Sequence, residues 1–177
     1  MPLKRPVIVE GPDGAGKSTL IRRLSLDTGL PIHHTGGPSL DKDHLQQKVW
    51  GVHDRKATHL IDRCPQISEP IYSTVDGRRP HIPLSQLTTD LYDLKPLLIY
   101  CRLSSISEMF KAIDRSHKPH KPVEHLATVA QEYASIVSMY DDWMQGFGKS
   151  KLLRVVRYNW EETPYRNILE EVKKCVG

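Results

Sequence analysis

The chain reads as an α/β fold, a five-stranded parallel sheet with helices on both faces. Three observations predict it. Short apolar runs of strand length alternate with segments of helical period along the whole chain. The first run ends in a glycine-rich loop that opens directly into a helix. No internal repeat, low-complexity tract or linker interrupts the alternation, so the 177 residues are expected to form one domain.

Each element follows in order. Pro6-Val7-Ile8-Val9-Glu10 is a buried strand, and Lys17 to about Asp27 a helix with Leu20, Ile21 and Leu24 on one face and Gly29 beyond its end. Leu30 to Thr35 is a second strand closed by Gly36-Gly37-Pro38, and Asp41 to about His53 a helix. Ala57 to Asp62 is the third strand. Leu84 to Leu94 is a helix, followed by the most apolar strand, Leu97-Leu98-Ile99-Tyr100-Cys101. A helix from about Ser104 to Ile113 leads into a stretch rich in Lys, His and Pro. The next helix, about Val123 to Met144, carries Leu126, Val129, Ala130, Tyr133, Val137 and Tyr140 on one apolar face. Lys151 to Tyr158 is the fifth strand and Thr163 to Lys174 the closing helix. Parallel sheets bind ligands at the carboxyl ends of their strands, which places the chemistry at residues 11–19, 34–38, 62–72 and 102–121.

Composition narrows the class. A net charge of +4 suits anionic ligands without the basic runs of a dedicated duplex-DNA binder. Cys64, Cys101 and Cys175 are odd in number and widely spaced, as expected of reduced thiols in a cytoplasmic protein rather than a disulfide framework or zinc site. No signal-peptide pattern and no apolar run of membrane-spanning length is present, so no membrane association is expected.

The chemistry starts at Gly11-Pro12-Asp13-Gly14-Ala15-Gly16-Lys17-Ser18, which satisfies GxxxxGK[ST] between a strand and a helix. Glycines let the backbone curl until its N–H groups face phosphate oxygens, and the helix N-terminus adds partial positive charge. Gly11, Asp13, Gly14, Ala15, Gly16, Lys17, Ser18 and Thr19 are thus the expected ATP-binding residues. Lys17 is expected to reach the β- and γ-phosphates, with the Ser18 hydroxyl helping to hold Mg²⁺. No NKxD stands in the sequence, which speaks against a guanine-specific GTPase switch.

The wider segment Val9 to Thr19 resembles the phosphate loop of thymidylate kinases, EGxDGxGKST. Asp62-Arg63 with Ser68 and Tyr72 is similar to that family's DR motif and the serine- and aromatic-rich helix behind it. Lys111 to Lys121 sits where these enzymes carry a mobile basic lid, here about residues 111–122. The resemblance covers nearly the whole chain and looks closest to short phage-encoded thymidylate-kinase-like proteins with a DR…SE…Y block.

The resemblance implies residue roles. Arg63 grips the acceptor's phosphate through its planar fork, Asp62 holds Mg²⁺, and Asp13 accepts from the acceptor's sugar hydroxyl. Thymidylate kinases carry a catalytic arginine in the loop or in the lid. Since Ala15 occupies the loop position, the lid is expected to provide it as Arg115, helped by Lys111, Lys118 and Lys121. Tyr72 stacks on the acceptor base, and Glu69 or Ser68 contacts its edge or ribose. Arg102 and the pair His33-His34 are further acceptor-side candidates. His117 and His120 have metal-like spacing, but Pro119 spoils the helix and no further ligand completes a zinc set.

The departures from the family gather on the acceptor side. The Asp62-to-Ser68 spacing is one residue long, no arginine and acid precede Gly36-Gly37, and Arg102 stands where an acid is common. The expected reaction is Mg-ATP-dependent phosphorylation of a deoxynucleoside monophosphate, with dTMP or a modified deoxypyrimidine monophosphate favoured. The alternatives are phosphorylation of a hydroxymethylated base in phage DNA and a deoxynucleoside kinase. The expected partner is therefore a small nucleotide, with DNA as the alternative substrate. Thymidylate kinases are commonly dimers, so the resemblance leaves room for a homodimer. For a viral protein the compartment would be the host cytoplasm.

Overall fold

The computed structural model describes residues 3–37, 39–109, 111, 123–150 and 153–176, and for residues 123–131 the backbone alone. Five parallel strands form one sheet in the order β2-β3-β1-β4-β5, with β1 Val7–Glu10, β2 Ile32–His34, β3 Leu60–Asp62, β4 Leu97–Cys101 and β5 Arg154–Tyr158. The helices are α1 Lys17–Thr28, α2 Lys42–Arg55, α3 Pro65–Val75, α4 Leu84–Leu94, α5 Val123–Ser150 and α6 Tyr165–Lys173.

Alternation along β1 divides the core in two. Val7 and Val9 join Leu20, Ile21 and Leu24 of α1 and Ile168 and Val172 of α6 on one face. Ile8 turns the other way, onto Ile67 and Ile71 of α3, Leu91 of α4 and Tyr140 of α5. Both faces are covered because every crossover between parallel strands must carry a helix, and a strand buried on both sides has no polar face to show water. The registers Val9↔Asp62, Val9↔Ile99 and His34↔Asp62 bring the carboxyl ends of β1 to β4 to a common rim, where the loop after β1 begins.

Element boundaries moved for identifiable reasons. The third strand starts at Leu60 rather than Ala57, because Thr58 and His59 turn their N–H groups back onto the Arg55 carbonyl. The long helix runs on to Ser150, past Met144. Met144 and Phe147 continue the buried stripe of Tyr133, Val137 and Tyr140, which outweighs the low helix propensity of Gly146 and Gly148. The closing helix starts at Tyr165 because Pro164 occupies its N-cap. Residues 106–109 and 111 are helical, with the Ser105 hydroxyl accepting from the Glu108 N–H as a cap, whereas 110 and 112–122 lie outside the described residues. All three cysteines are buried free thiols. Among the described residues no helix is long and apolar enough to cross a membrane.

Candidate active site

The loop after β1 is shaped by what its glycines avoid. A Cβ on Gly11 would lie 2.3 Å from the Cys101 carbonyl oxygen of β4, and its φ of +142° is closed to L side chains. Gly16 caps α1 at φ +85°, and a Cβ there would press on the Trp160 indole at 3.1 Å. Ala15 is fully buried in the core, so this position has no room for a long charged side chain. Lys17 is only 6% exposed and donates from Nζ to the Pro12 carbonyl at 2.6 Å, with Asp13 Oδ1 3.6 Å away. Burial and the nearby Arg63 lower its pKa more than Asp13 and Glu10 raise it. Ser18 and Thr19 stand exposed at the mouth of the loop.

Arg63 connects this loop to the neighbouring elements. It adopts a left-handed φ of 69°, a conformation that costs an L residue about 1–2 kcal/mol. The flanking backbone is held in place: Arg63 N–H donates to the Val9 carbonyl at 3.0 Å, and Cys64 N–H donates to Glu10 Oε2 at 2.7 Å. The kink turns the guanidinium onto the Asp13 carboxylate, with Tyr72 Oη at 3.4 Å. Burial opposes the Arg63 charge, but Asp13 and Glu10 more than restore it and its pKa is raised. Burial likewise opposes the Asp13 charge, and Arg63 and Lys17 outweigh it, so Asp13 titrates below its ordinary range.

Beside Arg63 opens a cavity of about 390 Å³, in which Asp13, Arg63, Ser68, Glu69 and Tyr72 meet with Lys48, Thr35, Gly36 and Gly37. Glu69 is only 3% exposed, and its carboxylate is fixed by Arg78, at 2.6 and 3.3 Å, and by the His81 N–H at 3.2 Å. A buried carboxylate needs such donors to stay charged. The wall therefore offers both fixed acceptor oxygens and cationic donors.

The other sequence candidates lie elsewhere. His34 Nδ1 meets Asp62 Oδ2 at 2.6 Å, and neither residue lines the cavity. His33 packs edge-on against His59 instead. Arg102 is buried, with its guanidinium on Asp141 at 3.2 Å and on the Leu103 carbonyl, also outside the cavity. Lys111 pairs with Glu108 at 2.8 Å, while Arg115, Lys118, Lys121, His117 and His120 lie outside the described residues. For Mg²⁺, the oxygen donors Ser18 and Asp62 suit a hard cation, and the Asp62 contact with His34 engages Oδ2 and not Oδ1.

Sequence reasoning missed Lys48, Arg78 and, above all, Glu10. Glu10 is fully buried and accepts from Gly11 N–H, Cys64 N–H and the Tyr140 hydroxyl. The available signal was a charged residue ending an otherwise apolar strand that is buried on both faces. Tyr133, also on α5, donates to the Asp13 carbonyl.

A parallel sheet of this order, with a GxxxxGK[ST] loop after its central strand, is an α/β fold that solved kinase structures share. Solved structures with such folds are similar to the chain throughout. The YorR protein from Bacillus subtilis, in complex with phosphorylated GDP, matches with a TM-score of 0.71 at 19% identity over 96% of this chain and 94% of that one. Deoxyadenosine kinase from M. mycoides with bound dATP matches at 0.60 and 14% identity, covering 96% and 98%. Thymidylate kinase from Candida albicans matches at 0.57 and 14%, covering 99% and 92%. No protein-family model matches the sequence, and neither does any curated protein.

Proposed function

We propose that this protein transfers the γ-phosphoryl group of ATP to the phosphate of a deoxynucleoside monophosphate, releasing ADP and the deoxynucleoside diphosphate. The observation that carries the reading is Arg63: one guanidinium touches the phosphate loop through Asp13 and faces an adjoining cavity of about 390 Å³, roughly the room a nucleotide needs. The fold shared with deoxyadenosine kinase and thymidylate kinase supports a phosphotransferase of this general kind.

In this reading the loop N–H groups and Lys17 hold the donor's β- and γ-phosphates. Arg63 leaves Asp13 to take the acceptor's phosphate, and Asp13 is then released to accept from the acceptor's sugar hydroxyl. An acceptor phosphate oxygen forms the new bond to the γ-phosphorus as the bond to the ADP oxygen breaks. The attacking oxygen is already ionised, so catalysis reduces to positioning and charge. Tyr72 and Glu69, the latter braced by Arg78, face the base. Mg²⁺, held by Ser18 and Asp62, would add positive charge to the donor phosphates. The second cation on the transferring group falls to the lid, with Arg115 the residue proposed.

The test is transfer of labelled γ-phosphate to the four dNMPs, hydroxymethylated dNMPs, deoxynucleosides and duplex DNA, with the wild type and Lys17→Ala. Label on one dNMP, lost in the variant, is expected. Label on DNA or on a nucleoside alone overturns the acceptor assignment, and ADP release without labelled product overturns the transfer reading.

A further inference from the structure

Glu10 is the one charged residue among the four of β1, and its carboxylate lies fully buried where the central strand ends. Three donors from three separate places converge on it. Oε1 accepts from Gly11 N–H at 2.9 Å and from the Tyr140 hydroxyl at 3.0 Å, and Oε2 accepts from Cys64 N–H at 2.7 Å. Gly11 opens the phosphate loop. Cys64 directly follows Arg63 and caps α3, the helix that carries Ser68, Glu69 and Tyr72 to the cavity. Tyr140 belongs to α5, seven residues after Tyr133, whose hydroxyl holds the Asp13 carbonyl inside the loop.

We propose that Glu10 is a positioning residue that locks the phosphate loop and Arg63 into one register, with α5 as the backstop. The inference rests on the phosphoryl-transfer reading and adds to it a residue that touches neither substrate. The geometry asks for a carboxylate specifically. Two backbone N–H groups approach opposite oxygens, so both ends of the group must accept, and a glutamine offers one oxygen only. An apolar residue would fill the space, as Val7, Ile8 and Val9 do along the same strand, but would leave both N–H groups buried without a partner. Reacting atoms displaced by about 1 Å lose on the order of a hundredfold in rate. The shared carboxylate removes that freedom between two loops just beyond the last rungs of the β1–β3 ladder, the pair Val9↔Asp62 and the bond from Arg63 N–H to the Val9 carbonyl.

The test compares Glu10→Gln and Tyr140→Phe with the wild type. Four quantities are read: kcat for transfer to the preferred acceptor, separate affinities for ATP and acceptor, affinity for a bisubstrate analogue in which a polyphosphate joins adenosine to the acceptor nucleoside, and melting temperature. For folded Glu10→Gln we expect kcat to fall about a hundredfold. Each single ligand should bind within about threefold of the wild type, while the bisubstrate analogue, which alone demands both sites in register, weakens about as much as kcat. Unchanged kcat overturns the proposal. So does a loss of single-ligand binding in proportion to kcat, because that describes a collapsed site rather than a shifted one. Should Glu10→Gln fail to fold, Tyr140→Phe decides: a fall in kcat of about fivefold with unchanged single-ligand binding supports the proposal, and full activity sinks it. If the wild type transfers phosphate to no acceptor, the functional reading fails instead. Glu10 is then judged on the Gly11 and Cys64 amide protons, which must shift and lose exchange protection in a folded variant and which overturn the proposal if they stay put.

Discussion

The phosphate loop and the adjoining cavity share Asp13 and Arg63 but are built in opposite ways. The loop takes its groups from consecutive residues whose backbone is shaped by local sterics, with Gly11 pressed against the Cys101 carbonyl and Gly16 capping α1. The cavity takes its groups from the end of β2, from α2, from the kink after β3 and from α3, and then braces them with Arg78 and the His81 N–H. The first region is shaped by what its backbone is allowed to do, with Glu10 and Tyr133 bracing that backbone. The second is fixed by what its side chains are paired with. Changes should therefore break the loop through shape and the cavity through charge.

The largest expected effects fall on the cations where the two regions meet. Lys17→Ala should lower kcat by about a thousandfold and Arg63→Ala by about a hundredfold, since in the proposed reaction each removes a donor to the developing phosphate charge. Their binding signatures should differ. Arg63→Ala should raise the KM for the acceptor and leave ATP affinity within about threefold, whereas Lys17→Ala should weaken ATP. If both variants lost ATP affinity equally, Arg63 would belong to the loop and the division between the regions would fail.

The contrast between shape and charge can be sharpened with two glycines. Gly11→Ala should lose stability on the order of 3 kcal/mol or fail to fold, because its Cβ would meet backbone at 2.3 Å and backbone cannot step aside. Gly37→Ala, in the cavity's rim, meets nothing within 4 Å and has an ordinary φ, so its melting temperature should stay within about 2 °C of the wild type. Equal losses in both would mean that the loop is no more tightly built than the rim.

This difference also decides what was legible in the sequence. The loop is local, so Gly11, Gly16, Lys17 and Ser18 announce themselves by spacing, and the strands and most helices follow from apolar period. Asp13, Arg63, Ser68, Glu69 and Tyr72 were reached through resemblance, and the structure brings these five together around one cavity. Arg102 went the other way. A cation at the end of a central strand looks available to phosphate, yet it is held by Asp141, 39 residues away and on α5. Arg78 and Lys48 carried no signal: Arg78 takes its meaning from Glu69, onto which the turn after α3 folds it back, and Lys48 from the packing of α2 beside α3 at the cavity. Helix α3 itself was hidden from periodicity by Pro65 and Pro70, one of which occupies its first turn while the other interrupts its ladder.

On the cavity side, Arg78→Met should cost on the order of 3 kcal/mol, the low end for stranding a buried charge, because Glu69 loses both guanidinium bonds and is left with the His81 N–H and the Lys48 charge across the cavity. The double variant with Glu69→Gln should recover part of that loss, since the uncompensated charge goes with it. Thermal unfolding of the two variants checks this. No recovery in the double variant would mean that packing of the arginine stem, rather than charge, holds this wall together.

A smaller loss than that of Arg78→Met concerns Asp13, where the two regions touch. Its pKa is lowered in the folded protein, so the charged carboxylate stabilises the fold above the ordinary aspartate pKa of about 4, and this contribution drains away as pH falls through the lower folded value. The side chain is 57% exposed, so solvent screens the interaction and the contribution stays below about 1 kcal/mol. In the ligand-free protein, Asp13→Asn should melt a few degrees below the wild type at neutral pH, and the gap should close on acidification below about pH 4. A gap that persists at low pH would trace to the shape of the loop rather than to its charge. Asp13 would then belong wholly to the region governed by backbone, and its contact with Arg63 would carry no share of the stability of the junction.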